Sequence, residues 1–273
     1  MKKLGTIKDN FYQIYAIVDK NIKLQLRFKL ALIFSLVTPI ISIFLPIIIL
    51  GKLFENNLRF GPWNSSNYLI FIFISYTILL LQKIIGMFPS QFRQEKFWQT
   101  LPAMIIAPFN RFNLLFGIAL SYLIVMAIPF TAFLILSYVF FPINFLTFLL
   151  VIAIYLLIVL IFGGIGLIFG IFAISRENLW SLLSFLLTFV FWFSCISYPF
   201  ELFPGLIQNI INLNPLYYIF DILRLTWIEN DIIITFTSHY PNFIVLIISA
   251  IILPSIGVLI FNLIYKKYGI VGY

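Results

Sequence analysis

From Leu30 to Tyr265 the sequence alternates long apolar runs with short polar breaks, and no other feature restricts its folding as strongly. The runs cover Leu30 to Leu50, Tyr68 to Phe88, Phe112 to Phe141, a stretch from just after Pro142 to Ala173, Trp180 to Tyr198, and Asn242 to Tyr265. Each is close to or above the ~20 residues that a helix needs to cross ~30 Å of hydrocarbon. Inside a bilayer every backbone N–H and C=O must be bonded within the protein, which makes helices of such runs. Only 10% of the 273 residues are charged, against about a quarter in a soluble domain. The expectation is an all-α polytopic membrane protein with six transmembrane helices, one membrane domain over 1–273 and no separate soluble domain.

Three stretches depart from that pattern. Residues 89–111 carry Arg93, Glu95, Lys96 and Arg111 among three prolines. Leu101, Met104, Ile105 and Pro108 keep helical spacing, while Gln94, Glu95 and Gln99 fall mainly elsewhere. That pattern predicts a short amphipathic helix at the membrane surface, open to a partner in the water. A loop helix packed on its own bundle is the plainer alternative. Residues 1–29 place Ile7, Phe11, Ile14, Val18 and Ile22 on one stripe flanked by Lys8, Lys20, Lys23, Arg27 and Lys29, as in a helix lying in the headgroup plane. The apolar run starts only near Leu30 and no small-residue cleavage site follows, so a signal peptide is not expected. Residues 199–228 hold two apolar pieces of about 12 residues, too short to span, interrupted by Pro199, Pro204, Gly205 and Pro215. A re-entrant helical hairpin fits them, with a single irregular crossing as the alternative.

Of the 17 Lys and Arg residues, 13 fall on the side that holds residues 1–29, 89–111, Arg176 and the tail; Lys52, Arg59 and Arg224 fall on the other, and Lys83 lies near the end of the second span. Positive loops stay in the cytoplasm. Both termini and the 89–111 helix are therefore expected inside, and the hairpin outside, in a multi-pass plasma-membrane protein. The net charge of +8 thus reads as topology, and no nucleic acid is expected as a partner.

Little catalytic chemistry is present. One cysteine (Cys195) and one histidine (His239) leave no zinc cluster or disulfide framework. Gly51-Lys52 lacks the upstream glycine of a phosphate loop. Gly163, Gly164, Gly166 and Gly170 sit inside an apolar run, where small residues let two helices approach closely. Two stripes suit either hydroxyl-mediated helix packing or the wall of a path for an amphipathic substrate. One holds Ser75, Leu79, Gln82 and Gly86; the other holds Ser181, Ser184, Thr188, Phe191, Cys195 and Tyr198. Glu201, Asp221, Arg224, Glu229 and Asp231 gather in or beside the hairpin, as headgroup-level charges and an Asp221–Arg224 pair, or as groups for acid–base work.

This order of parts resembles the permeases of type-2 ABC exporters, which handle drugs, polysaccharides, teichoic acids and lipid-linked glycans. The most specific likeness is in the opening stretch. Glu95 matches the family's acidic start, Thr100-Leu101 its Thr-Leu, Met104-Ile105 its apolar pair and Ala107-Pro108 its end, with Gln99 and Pro102 as departures. Asn214-Pro215 also looks like the family. The resemblance implies a dimer of permeases, homomeric or with a second permease, each resting on a cytoplasmic ATP-binding subunit that carries the ATP and Mg. It implies a transport subunit with no nucleotide site and no cofactor of its own, in contact with membrane lipids. Residues 89–111 become a coupling helix, with Arg93, Glu95, Lys96, Thr100, Leu101 and Pro108 facing the ATPase. Ser75, Gln82, Ser184, Thr188, Cys195 and Tyr198 become candidates for the substrate path. An integral-membrane lipid or glycan transferase, or a non-catalytic scaffold, remains the alternative.

Overall fold

The computed structural model describes residues 7–55, 59–99, 110–175 and 177–268. Among these residues it is all helical, without a strand, and its twelve α-helices are α1 (Ile7–Arg27), α2 (Lys29–Ser42), α3 (Phe44–Glu55), α4 (Tyr68–Phe97), α5 (Arg111–Val125), α6 (Ala127–Phe140), α7 (Phe145–Ser175), α8 (Glu177–Trp192), α9 (Gly205–Ile211), α10 (Pro215–Glu229), α11 (Ile232–Ser238) and α12 (Tyr240–Tyr268). Among the described residues, four segments are long and apolar enough to cross a membrane: Leu32–Glu55, Tyr68–Phe97, Phe145–Ala173 and Tyr240–Leu263. The pair α5 and α6, bent by 66°, makes a fifth if it counts as one broken span. The sixth expected span corresponds to α8, whose apolar part Ser181–Trp192 is short. Its helix stops because Asn214 Nδ2 takes the carbonyls of Val190 (2.6 Å) and Phe193 (2.9 Å). Cys195 then turns the chain with a left-handed φ of 53°.

Prolines explain the other breaks. A proline nitrogen cannot bond the carbonyl four residues back. Pro129 leaves Val125 unbonded in this way, and the helix breaks beside it at Met126. Pro46 does the same to Ser42, where α2 ends; the freed carbonyl accepts the Tyr76 hydroxyl at 2.7 Å. Pro89, by contrast, sits inside α4 without ending it. It frees the Ile85 carbonyl, and α7 closes over that point at Gly166, where a Cβ would lie 3.1 Å from Ile85 Cα and 3.2 Å from its oxygen.

The long helix α7 is the centre of the bundle. It is apolar on every side, as a helix buried among others must be. Its glycines are where neighbours approach: Gly163 meets Leu115 of α5, Gly166 and Gly170 meet the rings of Phe88 and Phe92 of α4, and Gly164 meets the Pro254 backbone of α12. A Cβ on Gly164 would fall 2.5 Å from Pro254 N, so the contact is backbone against backbone. That is the close packing expected from the glycine spacing.

Candidate functional site

Two polar clusters, one at each end of α4, interrupt the apolar bundle. The first lies where α1 crosses the ends of α4 and α5. Asn21 Nδ2 donates to Gln91 Oε1 and to Ser121 Oγ, each at 3.2 Å. Asn113 Nδ2 donates to Asn10 Oδ1 (2.8 Å) and Gln13 Oε1 (2.7 Å). Gly117 supplies the bare spot against Ile17, whose Cβ would be 2.7 Å from an added methyl. The face of α1 turned to the bundle is therefore mixed, with amides beside Ile17 and Val18. Phe11, which belongs to the apolar stripe of the sequence, is exposed together with Tyr12 and Tyr15.

At this junction Glu95 is paired with Lys20. The structure corrects the sequence reading of residues 89–111 in two ways. Residues 89–97 are the continuation of α4, not a separate surface helix. Glu95 is not on the solvated face either: it is 2% exposed and turned onto α1. The cause is register, since Gln91 and Glu95 are one turn apart on the face that α1 covers, whereas Arg93, Gln94 and Lys96 fall on the exposed side. Thr100, Leu101 and Pro108 lie outside the described residues, as do the remaining residues of 100–109.

The second cluster is at the other end, where α10 packs under the 59–64 turn and the stretch after α8. Arg224 is fully buried. It donates to the carbonyls of Cys195 (3.0 Å) and Ile196 (2.9 Å) and to Ser75 Oγ (2.8 Å), with its guanidinium 4.0 Å from the centre of the Phe71 ring. The expected Asp221–Arg224 pairing is replaced by these neutral acceptors. The reason is direction: α10 turns Arg224 inward, while Asp221 stays half-buried on the wall of a small cleft with Pro62, Trp63, Phe200, Glu201 and Tyr217. Burial raises the Asp221 carboxyl to about 6 against the pull of the guanidinium. The cleft offers about 80 Å³, room for a few waters but below the ~300 Å³ of a ligand pocket.

The other charges near the hairpin have structural tasks. Asp231 caps α11 through Ile233 N (2.8 Å) and Ile234 N (3.1 Å), and Glu229 Oε1 meets His239 Nε2 at 2.6 Å. The candidate path residues separate. Ser75 is buried on Arg224, and Cys195 is buried with its carbonyl on the same side chain. Gln82 is half-buried on α4. Ser184 and Thr188 bond the carbonyls of Ser181 (3.0 Å) and Ser184 (2.9 Å) on their own helix, and Tyr198 is exposed. Ser75 and Cys195, one from each stripe, are thus brought together on Arg224, while Ser184 and Thr188 bond only within α8. What the sequence reading missed is the Lys20–Glu95 pair and the Arg224 anchor, both fixed by partners far along the chain.

Among the described residues the chain is an all-helical bundle with several membrane-length helices and no cluster of acidic, Cys or His side chains that could hold a metal ion. The ABC-2 type transporter family model matches residues 12–227. That is most of the chain, which therefore belongs to the ABC-2 type transporter family, whose membrane components carry no nucleotide-binding site of their own and generally work with a cytoplasmic ATPase. A search of the curated proteins gives no match.

Proposed function

We propose that this chain is the membrane-spanning subunit of an ABC exporter that moves an amphipathic or lipid-linked substrate at the expense of ATP hydrolysed by a separate subunit. The observation that carries the reading is the family match over residues 12–227. Residues 1–273 act as one permease domain, α8 completes a sixth crossing with the stretch after it, and two copies, or this chain and a second permease, assemble on two ATPase subunits in the plasma membrane. The bias of 13 of 17 Lys and Arg residues puts the α1 end and both termini in the cytoplasm, with the α9–α10 hairpin outside.

The junction of α1 with α4 supports this reading. The exposed Arg93 and Lys96 and the residues that follow them face the ATPase, and the amide bonds of α1 carry a push there into α4 and α5 together. The test is co-purification of the chain with an ATP-binding subunit, followed by ATP hydrolysis in lipid with and without added amphiphiles; a preparation that recruits no ATPase rejects the export reading. Cysteines placed at Ser66 and Asn230 should react with an impermeant thiol reagent on intact cells and one at Gln94 should not. Labelling at Gln94 overturns the orientation.

A further inference from the structure

Lys83 is the feature that the bundle does not explain. It lies 15 residues after Tyr68 and 5 before Phe88, hence about 22 Å and about 7 Å along α4 from the two ends of its apolar run. It is exposed on the bundle surface, with no hydrogen-bond or ion-pair partner among the described residues. A Cβ on Gly86, one turn on, would touch nothing within 4 Å, so the helix surface beside the lysine is open. The same face continues through half-buried Gln82 and Ser90 to exposed Arg93 at the charged end of α4.

A bare ammonium at this depth is costly in lipid, so intramembrane lysines face a partner or a wet cavity. Snorkelling gives little relief, because long helical side chains lean toward the helix N-terminus. That direction leads toward Tyr68 and away from the nearer polar end. We infer that Lys83 binds the anionic group of the transported amphiphile, a phosphate or carboxylate carried on an apolar tail, which enters from the Arg93 end along the open Ser90–Gly86 face of α4. The tail runs on the apolar surface, while the charge is handed from the headgroup layer to Lys83. This rests on the export reading above and narrows its substrate class to anionic amphiphiles.

The test uses the full chain in phosphatidylcholine nanodiscs, with polyprenyl phosphate and the uncharged polyprenol as probes. Binding is measured on the chain itself and stimulation of ATP hydrolysis on its complex with the ATPase. Wild type should prefer the phosphate, Lys83→Gln should lose tenfold or more of that preference with polyprenol binding unchanged, and Lys83→Arg should keep it. Loss of the phosphate-specific stimulation in Lys83→Gln, in step with binding, supports transport of the bound anion. Charge-selective binding without any effect on stimulation assigns the site to a resident lipid and overturns the substrate assignment. Equal binding of the two probes, or an unaltered Lys83→Gln, overturns the site. If no ATPase associates, the export reading fails on its own and the binding arm alone decides whether Lys83 holds an anion.

Discussion

The two ends of α4 are each closed by one buried charge, and they do it by opposite means. At the outer end in the proposed orientation, Arg224 reaches in from α10 and is neutralised by two carbonyls, a hydroxyl and a ring face. At the inner end Glu95 is matched by a full opposite charge, on Lys20, which is itself 43% exposed. A planar fork spread over fixed backbone acceptors tolerates no exchange of donor. An ion pair whose cation reaches water has soft geometry, is screened by salt and can be rebuilt with the charges reversed. The difference fits the proposed work of each end, since a hairpin must stay seated while the α1 junction transmits motion.

The outer end should therefore be the harder to alter. Arg224→Met leaves the Cys195 and Ile196 carbonyls and Ser75 Oγ without their donor, and the expected loss is about 2–4 kcal/mol. Cys195 adds to the cost, because its left-handed φ of 53° is an unfavourable conformation for a side-chain residue held by that bond. Arg224→Lys keeps the charge but cannot fill three acceptors in the fork geometry, so it should recover less than half of the loss. Thermal unfolding in detergent checks the order wild type, lysine, methionine. A lysine variant as stable as wild type would make charge alone, not the fork, the anchor.

At the inner end Glu95→Lys and Lys20→Glu each place like charges together, one of them buried, and each should cost about 1–3 kcal/mol. The double exchange should return more than half of that, measured as the coupling in a double-mutant cycle. The singles should also weaken ATP coupling, through slack between α1 and α4 and not through loss of an ATPase contact. Failure of the exchange to rescue would show that Glu95 needs its particular seat beside Gln91, and the two ends would then be alike.

Local signals were legible in the sequence, while those that depend on a distant partner were not. The glycine contacts of α7 and two short hairpin helices near Leu202–Leu213 and Leu216–Ile228 follow from rules within a few residues, whereas the breaks at Pro46 and Pro129 fall inside runs that read as single spans. Helix α11 escaped notice, although Asp231 before Ile232-Ile233-Ile234 is a cap signal. The burial of Glu95 was out of reach, because it requires α1 to dock 75 residues away. Ser75 looked like part of a path for the same reason: the guanidinium that claims it is 149 residues further on.

Between these extremes lies Asn214, whose place before Pro215 marks a helix start. Its Oδ1 accepts from Leu216 N at 3.0 Å while its Nδ2 holds the last carbonyls of α8. Asn214→Asp keeps the cap and loses the donor, whereas Asn214→Ala loses both. Losses of about 1 kcal/mol for the aspartate and about 2 for the alanine are expected. Equal melting temperatures for the two variants would mean that the tie to α8 carries nothing.

The smallest effect is the pH dependence of the outer cleft. Burial holds the Asp221 carboxyl at about 6 in the folded chain, above its ordinary 3.8, with Arg224 and His239 opposing the shift and Glu201 adding to it. Between those values the folded state binds the proton that the unfolded chain has released, so stability falls as pH rises. The contribution is whole below about pH 3.8 and is lost through about pH 6. Asp221→Asn, which cannot ionise, should remove this slope: its melting temperature relative to wild type should rise from pH 4 to pH 7. The same scan on the Lys20–Glu95 exchange should leave the slope in place, because that pair lies at the other end of α4. If Asp221→Asn runs parallel to wild type over the interval, the cleft is wetter than its walls imply, and Asp221 stays ionised beside Arg224 in spite of its burial.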